Sequence, residues 1–209
     1  MYEELKERLQ QLGKDYNGKE FWSIVDQVKR DRIKDDELLG LIAGISQKRF
    51  RKEVSFTLSV QFGNLLELAL TIAAIVLAFL VNSNWMLYIS ALVLLTTLHP
   101  LSHYLTGTLL GIKFMRYYLN GPAKFEPTLK IDYFSYLKAS AKARALMHAS
   151  GVIGTLIGPL VAAVIALGKG ASGAAFNLFI LFLLLIVFEL LTSTKAGDLM
   201  RAKREYGYR

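Results

Sequence analysis

Residues 85–110 read WMLYISALVLLTTLHPLSHYLTGTLL, and this stretch decides the fold. It contains no Asp, Glu, Lys or Arg. A helix needs about 20 apolar residues to cross a bilayer, so this one is long enough. Within it stand His99 and His103, four residues apart. Positions i and i+4 share one helix face, a turn apart. Titratable side chains inside a membrane-length helix are costly and face a cavity or the bundle interior. Two imidazoles in that arrangement begin a metal site. Pro100 follows the first of them.

Working outward, three more stretches are long and nearly free of charge: roughly Phe62–Val81, Leu146–Leu167 and Ala174–Thr192. The expected fold is therefore an all-α polytopic membrane protein with four transmembrane helices. Residues 1–54 form an N-terminal cytoplasmic helical module. Residues 55–209 form the four-helix transmembrane domain, with a cytoplasmic loop at 111–145 that carries a small β-hairpin. The polar N-terminus has no charged-then-apolar cleavable pattern, so no signal peptide is expected. The chain has no cysteine, which excludes disulfides, thiolate metal sites and a cysteine nucleophile.

The net charge of +8 acquires meaning from its distribution. Lys113, Arg116, Lys124, Lys130, Lys138, Lys142 and Arg144 lie between the second and third helices, against Glu126 and Asp132. Lys195, Arg201, Lys203, Arg204 and Arg209 follow the fourth, and Lys48, Arg49, Arg51 and Lys52 precede the first. The other two loops, near Asn82–Asn84 and Lys169–Gly173, hold Lys169 alone. Basic residues mark the cytoplasmic side. The expectation is an integral protein of the plasma membrane with both termini and the central loop in the cytoplasm, in contact with membrane lipid. A nucleic-acid partner is not expected, since basic residues would then cluster on one face of a domain. The N-terminal region instead balances 12 Lys and Arg against 11 Asp and Glu.

That region reads as two or three short helices, from the helical recurrence of Leu5, Leu9 and Leu12 and of Phe21, Ile24, Val25 and Val28. Asp35 or Asp36 is placed to cap a helix over Glu37–Lys52. In the central loop, Ile112–Leu119 and Thr128–Ile131 read as strands, with Asn120-Gly121-Pro122 as the turn signal. Asp132 is placed to cap a helix over Tyr133–Ala145. Such a hairpin is expected to lie on the membrane by itself or to accept an extended peptide by strand addition.

The orientation brings the polar groups to one level. His99 and His103, His148 in the first turn of the third helix, Glu67 near the start of the first and Glu189 near the end of the fourth all fall in the cytoplasmic half, with Asp198 just beyond. Thr96, His99, His103 and Thr106 form one stripe. His148, Gly151, Thr155 and Gly158 form another with the same spacing. Small residues let membrane helices approach closely, which would bring the third helix against the second. A catalytic zinc takes three protein ligands and leaves one position open. His99 and His103 supply two, and Asp198, His148 or Glu189 the third. Each has a plainer reading: Asp198 as the N-cap of a short helix over Leu199–Glu205, His148 as a packed imidazole, Glu67 and Glu189 as helix-end carboxylates.

His-x-x-x-His in a membrane helix followed by Gly107-Thr108-Leu109-Leu110-Gly111-Ile112-Lys113 resembles the site-2 protease family of intramembrane zinc metalloproteases. Gly158-Pro159-Leu160 is similar to the glycine-proline element of that family's middle core helix. Asp198, in Ser193-Thr194-Lys195-Ala196-Gly197-Asp198, stands where the family's third ligand is found, without the usual Asn-Pro…Asp-Gly surroundings. The likeness covers roughly residues 84–201. It implies zinc held by His99, His103 and Asp198, and hydrolysis of peptide bonds in membrane-spanning protein substrates. The family's motif has Glu after its first His, as the base that takes a proton from metal-bound water. Pro100 cannot serve, so the base must be Glu67 or Glu189, or the chain is an inactive pseudoprotease that binds membrane segments or metal. A metal or haem carrier, with His99 and His148 as axial ligands, is a third class.

Overall fold

The structure is a computed structural model, and it describes residues 2–120, 126–192 and 197–209. Three amphipathic helices come first: α1 (Glu3–Lys14), α2 (Gly18–Arg30) and α3 (Asp36–Glu53). Each starts where a polar residue or an acidic first turn satisfies the free N–H groups. The Asn17 side chain accepts from Lys19 and Glu20, and Asp35 accepts from Leu38. Four long apolar helices follow: α4 (Val60–Leu80), α5 (Asn84–Leu109), α7 (Ala141–Gly168) and α8 (Ser172–Thr192). All four are long and apolar enough to cross a membrane. Their outward faces carry bare Leu80, Leu109, Val164 and Leu191, a surface suited to lipid and not to water.

Between α5 and α7 lie β1 (Phe114–Asn120), β2 (Glu126–Ile131) and α6 (Tyr133–Lys138); α9 (Gly197–Gly207) ends the chain. The strands pair antiparallel, Tyr117 opposite Leu129 and Asn120 opposite Glu126. Gly121 and Pro122 of the expected turn lie outside the described residues. Tyr117 exchanges both of its backbone hydrogen bonds with Leu58 on the other side of β1. By antiparallel alternation, Leu129 is then in a non-hydrogen-bonded pair, and its N–H and C=O point away from β1, to an edge with no strand partner among the described residues.

The helix expected over Tyr133–Ala145 is in fact two. Asp132 caps α6, but Ala139 and Ser140 are extended, and the Ser140 side chain accepts from Ala143 to start α7. His148 thus lies two turns into α7, not in its first turn.

The bundle is centred on α5. One face meets α4, where Thr71 donates to Thr97 at 2.8 Å and Ser90 to the Ala74 carbonyl at 2.9 Å. The other face meets α7 through glycines. A Cβ on Gly154 would lie 2.5 Å from the Leu98 carbonyl oxygen, and one on Gly158 2.6 Å from the Leu95 nitrogen. The small-residue stripe therefore does bring the third long apolar helix, α7, against the second, α5. At the end of the bundle away from the hairpin, Lys169 donates to the carbonyls of Ala78 and Val81, closing the last turn of α4. At the hairpin end, α1–α3 build a core that Ile112, Tyr136, Leu137 and Met147 complete. The N-terminal module is thus packed onto the central segment and the start of α7.

Candidate metal centre

His99 and His103 sit on adjacent turns of α5, with rings 4.7 Å apart and nearly perpendicular. Asp198 enters from the first turn of α9. Its Oδ2 lies 3.2 Å from His99 Nε2 and 2.9 Å from His103 Nε2. The three ligand atoms all fall within 4.8 Å of one another. Asp198 is therefore no N-cap: it lies inside α9, and its carboxylate faces the imidazoles. His148 stands at the rim, Nδ1 3.6 Å from Asp198 Oδ1, and Arg201 donates to that same oxygen at 3.2 Å.

The far side of each ring is already engaged. His103 Nδ1 is 2.7 Å from the Met147 carbonyl, His99 Nδ1 shares a hydrogen bond with the Thr155 hydroxyl at 2.9 Å, and His148 Nε2 shares one with the Tyr136 hydroxyl at 3.0 Å. A carbonyl only accepts, so His103 Nδ1 must carry the proton. In a neutral ring, Nε2 then points a lone pair at the Asp198 carboxylate. Two acceptors face each other at hydrogen-bond distance, and only a positive species between them, a proton or a metal ion, makes the contact favourable. Metal-ligating histidines characteristically tie their second nitrogen to such a partner, which fixes tautomer and ring orientation.

The two imidazole–carboxylate edges match those of a small divalent ion's coordination shell. A tetrahedron with metal–ligand arms of about 2.05 Å has edges of about 3.3 Å, and the imidazole–carboxylate separations are 3.2 and 2.9 Å. The donor set of two imidazoles and one carboxylate suits zinc and leaves a fourth position. Burial pushes the Asp198 carboxyl up, but the imidazoles of His103, His148 and His99, where they carry a proton toward it, outweigh burial and hold the group well below the usual carboxylate range. It is an anion at neutral pH, as a ligand must be.

A cavity of about 260 Å³ opens beside the cluster, walled by His99, Pro100, His148 and Arg201 and by Glu126 and Thr128 of β2. Sequence reasoning missed Glu126 and Arg201. Arg201 was legible as a partner three residues along the helix from Asp198; Glu126 reaches the site only because the hairpin folds back over α5. Glu189 on α8 lies within electrostatic reach of His99 and Asp198, outside ion-pair distance. Glu67 is not brought to the centre. It is buried on α4, one turn from Asn64, whose side chain accepts from the Tyr117 hydroxyl. Thr96 is exposed and bonds back to its own helix.

Asp198 is seated by what holds α9. Glu205, 1% exposed, accepts from Lys29 Nζ at 2.5 Å and from Arg144 Nε at 2.6 Å. The Glu205 carboxyl feels burial pushing it up, but Lys29 and Arg144 together hold it below its ordinary value. With Arg144 already beside the carboxylate, burial draws Lys29 down despite Glu205.

No protein-family model, curated protein or solved structure matches this chain.

Proposed function

We propose that this chain is a membrane-embedded zinc metalloprotease of the site-2 protease type, which hydrolyses peptide bonds of membrane-spanning proteins. The observation that carries the reading is the convergence of His99 Nε2, His103 Nε2 and the Asp198 carboxylate, with both outer ring nitrogens engaged. The resemblance to the family rests on the same His pair, on Gly107–Lys113 and Gly158-Pro159-Leu160, and on Asp198. Zinc held there would supply a Lewis acid for the scissile carbonyl and acidify a bound water. In this reading Glu189 accepts the proton, because of the two expected bases it is the one within electrostatic reach of His99 and Asp198. The open edge of β2 receives the substrate as an extended strand, paired with the Leu129 N–H and C=O beside the cavity. Both termini lie in the cytoplasm of a cell whose plasma membrane holds the bundle.

One observation favours a second reading. Pro100 is buried and lines the cavity at the position where the family carries its base. A pseudoprotease would keep the metal and the peptide-binding edge while leaving the bond intact.

Metal analysis of the chain purified in mild detergent separates these readings. Zinc at one per chain, lost in His99→Ala and Asp198→Ala, is the expected result; no metal in any preparation would sink the protease and leave an inactive scaffold that binds membrane segments. With metal bound, cleavage of a membrane-spanning test substrate that Glu189→Gln abolishes supports the protease. Metal binding without any cleavage leaves the pseudoprotease, and cleavage undiminished in Glu189→Gln rules out that residue as the base.

A further inference from the structure

The N-terminal module has no part in the chemistry above, yet a buried link runs from it to the metal centre. Glu205 follows Asp198 by two turns on α9, so both point from the same side of that helix. Its two oxygens take Lys29 of α2 and Arg144 of α7, whose side chains are 3% and 4% exposed. Next to it, the Tyr208 hydroxyl donates to Asp26 of α2 at 3.0 Å. The Lys29 ammonium also stands 5.4 Å from the centre of the Tyr136 ring, whose hydroxyl meets His148. Two routes therefore join α2 to the cluster, one along α9 to Asp198 and one through Tyr136 to His148.

Helix α9 has 11 residues, too few to be stable in isolation. Its place is set by what it touches: α7 along its packed face, and at the buried Glu205 both Arg144 of α7 and Lys29 of the N-terminal module. A buried ion pair is a poor source of stability, since apolar groups of similar volume often do as well or better. What charged groups at this spot add is a defined position for the helix that bears the third ligand.

We propose that the N-terminal module is the positioning element of the metal centre. Docking of α2 through Lys29 onto Glu205 seats α9 and sets the Asp198 carboxylate against His99 and His103. Lys29, Glu205 and Arg144 are positioning residues, and the inference rests on the reading of His99, His103 and Asp198 as metal ligands. Coupling of this kind is reciprocal. Whatever draws α2 away from α9 weakens metal binding, and bound metal holds the module down. A partner that captured α1–α3 would thereby regulate the site without entering it.

The test uses the full chain in detergent micelles with ¹³C-labelled histidine, of which there are three. Zinc affinity is measured by competition with a chelator, and imidazole resonances are recorded on the metal-free chain. Lys29→Met should lower zinc affinity about tenfold, the scale set by residues that orient metal ligands, and should shift the ring signals of His99 and His103. Lys29→Arg should restore both, while far-UV spectra stay those of the parent. If Lys29→Met does not fold, Tyr208→Phe removes a single hydroxyl from the same contact and should act in the same direction, by about threefold. Unchanged affinity and unchanged imidazole signals in a folded Lys29→Met chain would overturn the proposal. If the parent chain binds no zinc, the metal reading fails by itself, and the ring signals of the metal-free chain still decide whether α2 positions Asp198.

Discussion

At His103 the two ring nitrogens are committed in opposite directions, one to the Met147 carbonyl and one to Asp198. That commitment is structural, because the carbonyl belongs to a neighbouring helix held at glycine distance. The pair His99 and His103 was legible from four-residue spacing, and Thr155 from its place on the small-residue stripe of α7. The partnership between Thr155 and His99 was not, because it depends on how two helices rotate against each other. It has a measurable consequence: Thr155→Val keeps the shape and removes the hydroxyl, and should weaken zinc binding by about 10–100-fold in a chelator competition. Unaltered affinity would mean that His99 needs no fixing. Gly151 has a steric counterpart. A methyl there collides with the His103 imidazole, so Gly151→Ala should cost about 1–3 kcal/mol of stability and displace the ring. The expected readout is a lower melting temperature in detergent together with lost metal. A Gly151→Ala chain that melts normally with full zinc would show that the helices separate freely.

At the scale of elements, α9 packs along α7 and is tied to α2 and α7 by the ion pairs of Glu205. Cutting a buried pair on one side leaves an uncompensated charge, a loss of about 3–5 kcal/mol, so Glu205→Gln should free α9 and expose its amides to hydrogen exchange. Acid should do the same. The Glu205 carboxyl titrates below its ordinary 4.5 in the folded chain. The folded state thus holds the proton less tightly than the unfolded one. Stability from this group is full above about pH 4.5 and drains as pH falls through the lowered folded value. Protection of α9 amides, corrected for the intrinsic pH dependence of exchange, should fall as pH drops below 4.5 in the parent and stay flat with pH in Glu205→Gln; an identical acid response in both would assign it elsewhere. The short helix itself was legible from sequence, but with Asp198 as its cap. The cap reading failed because local rules see only the helix's own N–H groups, while three imidazoles from α5 and α7 compete for the same oxygens. The break at Ala139–Ser140 was missed for a related reason: alanine runs favour helix throughout, and only the Ser140 cap interrupts them.

Across the whole molecule the two ends of the bundle differ. One end is closed by short turns and the Lys169 cap; the other carries the N-terminal module, the hairpin, α9 and the candidate metal centre. The four long apolar helices were legible because each nearly charge-free stretch matched bilayer thickness, and that signal needs no tertiary context. The docking of α1–α3 was not, since its apolar faces say only that something covers them, and Tyr136, Leu137 and Met147 come from residues over 80 positions away. Loop charge predicts a cytoplasmic position for the bulky end. Because the chain lacks cysteine, single introduced thiols can test that assignment without a background. Asn82 lies in an exposed turn at the closed end and Lys113 is exposed beside the hairpin. In intact cells, a membrane-impermeant maleimide should label Asn82→Cys at once and Lys113→Cys only after permeabilisation. The reverse pattern would invert the molecule and place the metal centre, with the peptide edge of β2, on the outer side. The cytoplasmic control by the N-terminal module would then lose its compartment, while the geometry that joins Lys29 to Asp198 would stand.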